Sequence, residues 1–163
     1  MKRRAFLAIS SVVFAGIAMA FALNYDNFLP LDAEALAEAG IAHAYEELGS
    51  SLRKYIPEPA KVQEKVDSDS PSYSVSCLGR DYFIYGGNDQ KESWGRATFA
   101  LFSIVNRQLE GTQYRFFAIN AGNDLGGMFL TLERAKEARK SLPRKVDWPY
   151  LPALEAPWYG QFH

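Results

Sequence analysis

The chain has 163 residues, of which 48% are hydrophobic and 23% are charged, and its formal net charge is −1. This length suits a single domain that buries a core without disulfide or metal staples. The one cysteine, Cys77, excludes an intramolecular disulfide, and the presence of only two histidines, His43 and His163, argues against a catalytic zinc site. The sequence therefore predicts neither a metal site nor a cofactor.

The N-terminal segment carries the clearest signal in the chain. Lys2, Arg3 and Arg4 precede an uncharged stretch, residues 5–23, that closes with two overlapping A-x-A patterns. A basic start, an apolar middle and small residues at the end are typical of a secretory signal peptide. The stretch is also nearly long enough to span a bilayer as an uncleaved anchor.

We expect residues 1–22 to form a helix that is either removed as a signal peptide or retained as a membrane anchor. In both cases the basic residues stay in the cytoplasm, and residues 23–163 are exported as a single α+β domain. The expected location is the bacterial periplasm, where the domain is soluble or is held at the inner membrane through residues 5–23. Without residues 1–22, three of the 18 Lys and Arg are lost and 15 remain against 19 Asp and Glu. The resulting net charge of about −4 argues against a nucleic-acid partner.

The exported part is predicted to begin with a helix. Asp32 is a good N-cap, and apolar residues recur after it at helical spacing as far as Ile56. Pro57 and Pro59 end this pattern. Segment 57–71 is polar and bounded by prolines, so we predict that it is a linker within the domain.

Two hairpins follow, and each is followed by a helix. The predicted elements are strands at 72–77 and 82–85, a helix at 92–109, strands at 113–120 and 128–131, and a helix that Thr131 caps and Pro143 ends. Together they predict an α+β fold, in which the two hairpins form one four-stranded antiparallel sheet and about three helices pack on it.

The loop of the second hairpin reads NAGNDLGG, residues 120–127. It matches no phosphate-loop, dinucleotide-binding or calcium-loop pattern. Asn, Asp and Gly are the residues that tight turns require, which favours a plain hairpin connection. In the alternative interpretation the loop presents Asn120, Asn123 and Asp124 to a protein partner.

The last segment, 146–163, combines three prolines with many aromatic side chains, and it is predicted to lie extended over the body of the domain. Tyr and Trp offer large contact areas at low entropic cost, so they are frequent at binding surfaces. The candidates for contact with a protein or carbohydrate are Trp148, Tyr150, Trp158 and Tyr159. In the alternative interpretation the tail only covers the sheet.

Catalytic motifs are missing from the sequence. Cys77 lies in an alternating strand pattern on a predicted core face, and nothing in the sequence brings it to His43. There is no G-x-S-x-G pattern. Acidic pairs that include Asp81 or Asp124 are the remaining basis for an enzyme.

The sequence is best interpreted as a non-enzymatic periplasmic protein-binding module. Its most concrete form is an immunity protein or inhibitor that neutralises a toxin or enzyme acting in the periplasm, with NAGNDLGG as one segment that enters the target. The alternatives are a membrane-anchored accessory subunit of an envelope complex and a cell-envelope hydrolase.

Overall fold

The computed structural model of the chain describes residue 23, residues 25–121 and residues 124–163. Within these residues the fold is α+β, with two three-stranded antiparallel sheets and about four helices, if the first two short pieces and the π-helical turn between them are counted as one. The strands are β1 (Leu29–Leu31), β2 (Gln63–Asp67), β3 (Ser72–Cys77), β4 (Arg80–Gly86), β5 (Tyr114–Ala121) and β6 (Asp124–Thr131). The helices are α1 (Ala33–Ala35), which a π-helical turn (Leu36–Gly40) joins to α2 (Ile41–Glu47), then α3 (Gly49–Leu52), α4 (Ser93–Gln108) and α5 (Leu132–Ser141).

The predicted four-stranded sheet is wrong, because the two hairpins belong to different sheets. One sheet has the order β2-β3-β4 and the other has the order β1-β6-β5. Each hairpin completes its sheet with a short strand from elsewhere in the chain, β2 on β3 and β1 on β6, rather than with the other hairpin. The predicted N-terminal signal or anchor helix, residues 1–22, lies outside the described residues. No helix of the described ranges combines the length and the apolar character that crossing a membrane requires.

The first helix begins where the sequence predicts. The Asp32 carboxylate accepts hydrogen bonds from the backbone N–H groups of Glu34, at 2.9 Å, and Ala35, at 3.1 Å. The helix is then interrupted, since Ala39 has a φ of 64° and Gly40 passes so close to the Ala35 carbonyl that a β-carbon there would overlap it. The predicted continuous helix is therefore a series of short helical pieces.

Segment 57–71, which the sequence predicts to be a linker, contains the strand β2. Four of the five side chains of QEKVD in β2 are exposed, so the strand lacks the apolar alternation that marks a strand in a sequence. Glu64 is the half-buried exception, and its carboxylate accepts hydrogen bonds from the N–H of Ala42, at 2.9 Å, and from the hydroxyl of Tyr73. The Tyr73 oxygen in turn accepts from the N–H of Ile41, at 3.3 Å. Strands β2 and β3 thus satisfy the first N–H groups of α2, whose own N-cap, Gly40, offers no side chain.

The core lies around α4, which packs between the two sheets. Its buried side chains contact the inner face of the β2-β3-β4 sheet and one face of β5. The other face of β5 belongs to a second cluster beneath α5, which includes Ile119, Met128 and Ala138. Strand β5 is therefore covered on both faces, as its continuous apolar sequence predicts.

Two groups from outside the sheet form hydrogen bonds with the outer edge of β5. The Asn106 side chain donates to the Phe116 carbonyl, at 2.9 Å, and accepts from the Phe116 N–H, at 2.7 Å. Two residues further along, Ala118 exchanges both backbone hydrogen bonds with Tyr150, at 2.8 and 3.0 Å. The tail is thereby attached to the sheet at Tyr150, beside α4.

The β5–β6 hairpin is tighter than the sequence predicts. Ala121 pairs with Asp124, so the paired strands come within two residues of each other along the chain. Gly126 and Gly127 consequently lie inside β6, where the rings of Phe28 and Phe116 cover them so closely that a β-carbon at either glycine would overlap a ring. These two glycines serve packing rather than the turn.

Candidate functional site

A cavity of about 370 Å³ lies where the tail returns to the start of α4; we call it the tail cleft. One wall is the first turn of α4, with Trp94 and Gly95. A second wall is the tail loop, with Trp158 and Tyr159. The floor is formed by Thr98 of α4, the ends of β5 and β6, and Tyr150. Segments far apart in sequence therefore build this cavity.

Four of the seven residues that the sequence singles out for partner contact meet in the tail cleft. They are Asn120, Tyr150, Trp158 and Tyr159. Trp148 lines a neighbouring cavity of about 630 Å³, and Trp158 and Gln161 border both cavities. Asp124 is exposed at the start of β6. Asn123 lies outside the described residues.

The floor of the tail cleft carries three neutral polar side chains, from Thr98, Asn120 and Tyr150. Thr98 is only 7% exposed, and its hydroxyl has no hydrogen-bond partner among the described residues. Burial raises the pKa of Tyr150 to about 12, and a hydrogen-bonding interaction with the Asn120 side chain opposes that shift. The Tyr150 phenol therefore stays protonated at neutral pH. Each of these groups can both donate and accept hydrogen bonds.

The mouth of the tail cleft is flanked by two tryptophans that are largely open to solvent. Trp94 is 55% exposed and Trp158 is 50% exposed. The Trp158 ring stacks on His163, with 4.6 Å between the ring centroids and 16° between the planes. Exposed indoles beside a polar floor are uncommon on a surface that only faces water, because large apolar side chains gain from burial.

Tyr159 closes one side of the cleft, and its position depends on a glycine. A β-carbon on Gly95 would lie 2.5 Å from the nearest atoms of the Tyr159 ring, so the ring rests directly on the α4 backbone. The tail loop is closed by backbone hydrogen bonds from Ala153 N–H to the Tyr159 carbonyl, at 3.0 Å, and from Tyr159 N–H to the Glu155 carbonyl, at 2.8 Å. Burial raises the pKa of the Tyr159 phenol, Glu92 raises it further and Arg96 lowers it.

An ion pair holds the turn that precedes α4. The Arg96 guanidinium donates two hydrogen bonds to the Asp89 carboxylate, at 2.7 and 3.0 Å, and it also lies 5.4 Å from the centre of the Phe83 ring. The hydrogen bond to Arg96 lowers the pKa of Asp89, and the same bond raises the pKa of Arg96. The charge of Arg96 is thus already balanced by Asp89 beside the cleft.

The tail is anchored at its start by residues of α5 and the segment that follows it. Arg139 donates twice to the Pro149 carbonyl, at 2.7 and 2.9 Å, and its guanidinium lies 4.8 Å from the centre of the Phe162 ring. The Trp148 indole donates to the Leu142 carbonyl at 3.0 Å. Specific bonds therefore fix the course of the tail, which makes the cleft a built feature of the fold.

The sequence interpretation missed the contribution of α4 to the cleft. Trp94 and Thr98 fall on the apolar stripe of the helix, and this spacing predicts that both side chains lie in the core. Thr98 is buried, whereas Trp94 is largely exposed. The available signal was Thr98 itself, since a hydroxyl inside an apolar stripe needs a partner.

The structure does not join Cys77 and His43. Cys77 is 4% exposed, and burial raises the pKa of its thiol, which disfavours the reactive thiolate. His43 lies on the surface of α2, 3.5 Å from Glu47 in an exposed pair. No hydrogen bond or ion pair connects the two in the part of the chain that the structure describes.

Three comparisons with known proteins bear on the identity of the chain. They cover protein-family models, curated proteins and solved structures. None of the three comparisons finds a match to this chain.

Proposed function

We propose that the protein is a non-enzymatic binding module of the bacterial periplasm that recognises another protein. In its most concrete form it is an immunity protein or inhibitor that neutralises a toxin or enzyme acting there. The observation that carries the proposal is the meeting of Asn120, Tyr150, Trp158 and Tyr159 in one cleft, with Trp94 and Trp158 half exposed at its mouth.

Exposed tryptophans at the mouth of a fixed cleft are suited to anchoring a partner. Trp and Tyr are enriched among the residues that dominate binding free energy, and they lose little side-chain entropy when they are covered. The tail loop that carries Trp158 is closed by its own backbone hydrogen bonds. Binding would therefore not have to order this loop, which favours affinity.

The ionisable groups near the cleft favour binding over catalysis. Arg96 is engaged with Asp89, and the pKa of the Tyr150 phenol lies far above neutrality. Away from the cleft, Cys77 is buried and its thiol pKa is raised by that burial. General acid–base catalysis works best with groups whose pKa lies near the working pH, and these groups do not meet that requirement.

Site-specific photo-cross-linking in the envelope of the source organism tests the proposal. A cross-linking amino acid at position 94 should give one discrete protein adduct. The matched control is position 132, since Leu132 is 48% exposed on α5 and does not line the cleft. Equal adducts at both positions, or none at position 94, would show that the cleft is not the partner surface.

The immunity form has a test of its own. Cells that produce a candidate periplasmic toxin encoded beside this protein should survive when the intact protein is present. They should die when Trp94→Ala and Trp158→Ala are combined. Equal death with and without the intact protein would overturn the immunity form while leaving the cross-linking result to decide on partner binding.

A further inference from the structure

We infer that the floor of the tail cleft is a saccharide site that takes a neutral pyranose ring. This goes beyond recognition of a protein partner. The Thr98 hydroxyl, the neutral polar groups around it and the exposed indoles of Trp94 and Trp158 suit such a ligand.

The first step is the Thr98 hydroxyl. Thr98 lies near the start of α4, lines the cavity and has no hydrogen-bond partner among the described residues. The residue is only 7% exposed, but its hydroxyl oxygen is not one of the fully buried atoms without a partner, so it is accessible from the cavity. A ligand group within the cavity can therefore bond to this hydroxyl, which both donates and accepts.

The second step is the chemistry of the floor. The side chains of Thr98, Asn120 and Tyr150 are uncharged, and each can donate and accept. Hydroxyl and acetamido groups of a sugar also donate and accept hydrogen bonds, so they can act as donors or as acceptors toward the side chains of the floor. A charged ligand would instead need an unpaired opposite charge in the cleft. Lys91 and Glu92, which both line the cleft, have opposite charges, and Arg96 is paired with Asp89.

The third step is the mouth of the cleft. A pyranose ring has a flat face of C–H groups and a rim of hydroxyl groups, so it can place its face on an indole and its hydroxyls on the floor. Trp94 and Trp158 present such indoles at half exposure. The volume, about 370 Å³, lies at the lower end of the range of ligand pockets, about 300–1,000 Å³, and fits a mono- or disaccharide unit.

The test is a titration of the ¹⁵N-labelled domain with N,N′-diacetylchitobiose and with cellobiose, followed by two-dimensional NMR. We expect saturable shifts of the Trp94 and Trp158 indole N–H signals with at least one of these sugars. Thr98→Val should weaken binding by about tenfold, the value of one hydrogen bond to a ligand. The variant should melt at or above the temperature of the intact protein, because it removes only an unpartnered hydroxyl.

The control is Leu132→Ala. Leu132 is about as exposed as Trp94 and Trp158 but lies away from the cleft, so this variant should bind the sugar as the intact protein does. Absence of shifts with both sugars would overturn the inference, as would sugar binding that Thr98→Val leaves unchanged. Shifts produced only by a charged sugar such as glucuronic acid would overturn the assignment of a neutral ligand. Cross-linking to a protein at position 94 can also be measured in the Thr98→Val variant. If that variant loses sugar binding but keeps the protein adduct, the sugar site in the floor and the protein-binding surface at the mouth are distinguished.

Discussion

The ring of Tyr159 lies on Gly95, and a β-carbon on Gly95 would come to 2.5 Å from the nearest ring atoms. An alanine would suit this position in α4 better for helix stability, by up to about 1 kcal/mol. The glycine therefore serves the contact with the tail rather than the helix. This contact joins the tail loop to α4 across more than 60 residues of sequence and contributes to the shape of the tail cleft.

Gly95→Ala should displace the tail loop. The amides of the segment around Tyr159 should exchange hydrogen faster, because the ring can no longer rest on the helix, while the core amides of α4 keep their protection. Gly49→Ala in α3 is the matched control, since the added β-carbon would meet only the Arg53 guanidinium at 3.7 Å. Unchanged exchange around Tyr159 in Gly95→Ala would contradict the contact.

Glu64→Ala should destabilise the domain by about 1–3 kcal/mol, measured by urea unfolding. The change leaves the Ala42 N–H and the Tyr73 hydroxyl without their acceptor at the start of α2. Glu64→Gln should recover much of the loss, since it keeps a carbonyl oxygen. Lys65→Ala, on the exposed face of the same strand, serves as the control. If Glu64→Ala lowers the free energy of unfolding no more than Lys65→Ala does, Glu64 of β2 does not cap α2.

Asn106→Ala should cost about 2–3 kcal/mol, because the N–H and the carbonyl of Phe116 both lose their partner in the buried edge of β5. Faster hydrogen exchange at the Phe116 amide should accompany the loss, and urea unfolding gives the free energy. Asn88→Ala on an exposed turn should change stability by less than about 0.5 kcal/mol. If Asn106→Ala behaves like Asn88→Ala, the amide does not replace a strand partner.

Stability should fall at alkaline pH. The pKa of Tyr150 is raised from 10.0 to about 12 in the folded state, so above pH 10 the unfolded chain releases its proton first. The stabilisation is complete below pH 10 and is lost as the pH rises to about 12, and Tyr150 contributes up to about 2 kcal/mol to that loss. Tyr150→Phe should make urea midpoints less dependent on pH between 10 and 12. An identical pH dependence in the variant would contradict the assignment to Tyr150.

Local features of the sequence predicted local structure well. Asp32 and Thr131 cap their helices as expected, because N-capping depends on a side chain and the N–H groups two or three residues away. The partition of the hairpins between two sheets was not predictable in the same way. It depends on β2, whose polar sequence resembles a linker, and on β1, which is three residues long.

The types of residue at the candidate site could be predicted from the sequence, but their meeting in one cleft could not. Aromatic side chains in a proline-rich tail marked Trp158 and Tyr159 as candidates, since such residues are frequent at binding surfaces. Their meeting with Asn120 depends on the return of the tail across α4, which no periodicity encodes. Gly95 makes that return possible, but no local pattern shows that a ring lies on it. Thr98, a hydroxyl on the apolar stripe of α4, is the local signal for the polar floor.

The closure of the β5 edge has a consequence for solubility. A free edge strand is a template for pairing with a second chain, and the apolar sequence of β5 would make such pairing persistent. Asn106 belongs to a stable helix, but Tyr150 belongs to the tail and leaves the edge whenever the tail detaches. Proteolytic loss of the tail should therefore promote self-association of the domain, so that the segment carrying the candidate site also protects the domain from aggregation.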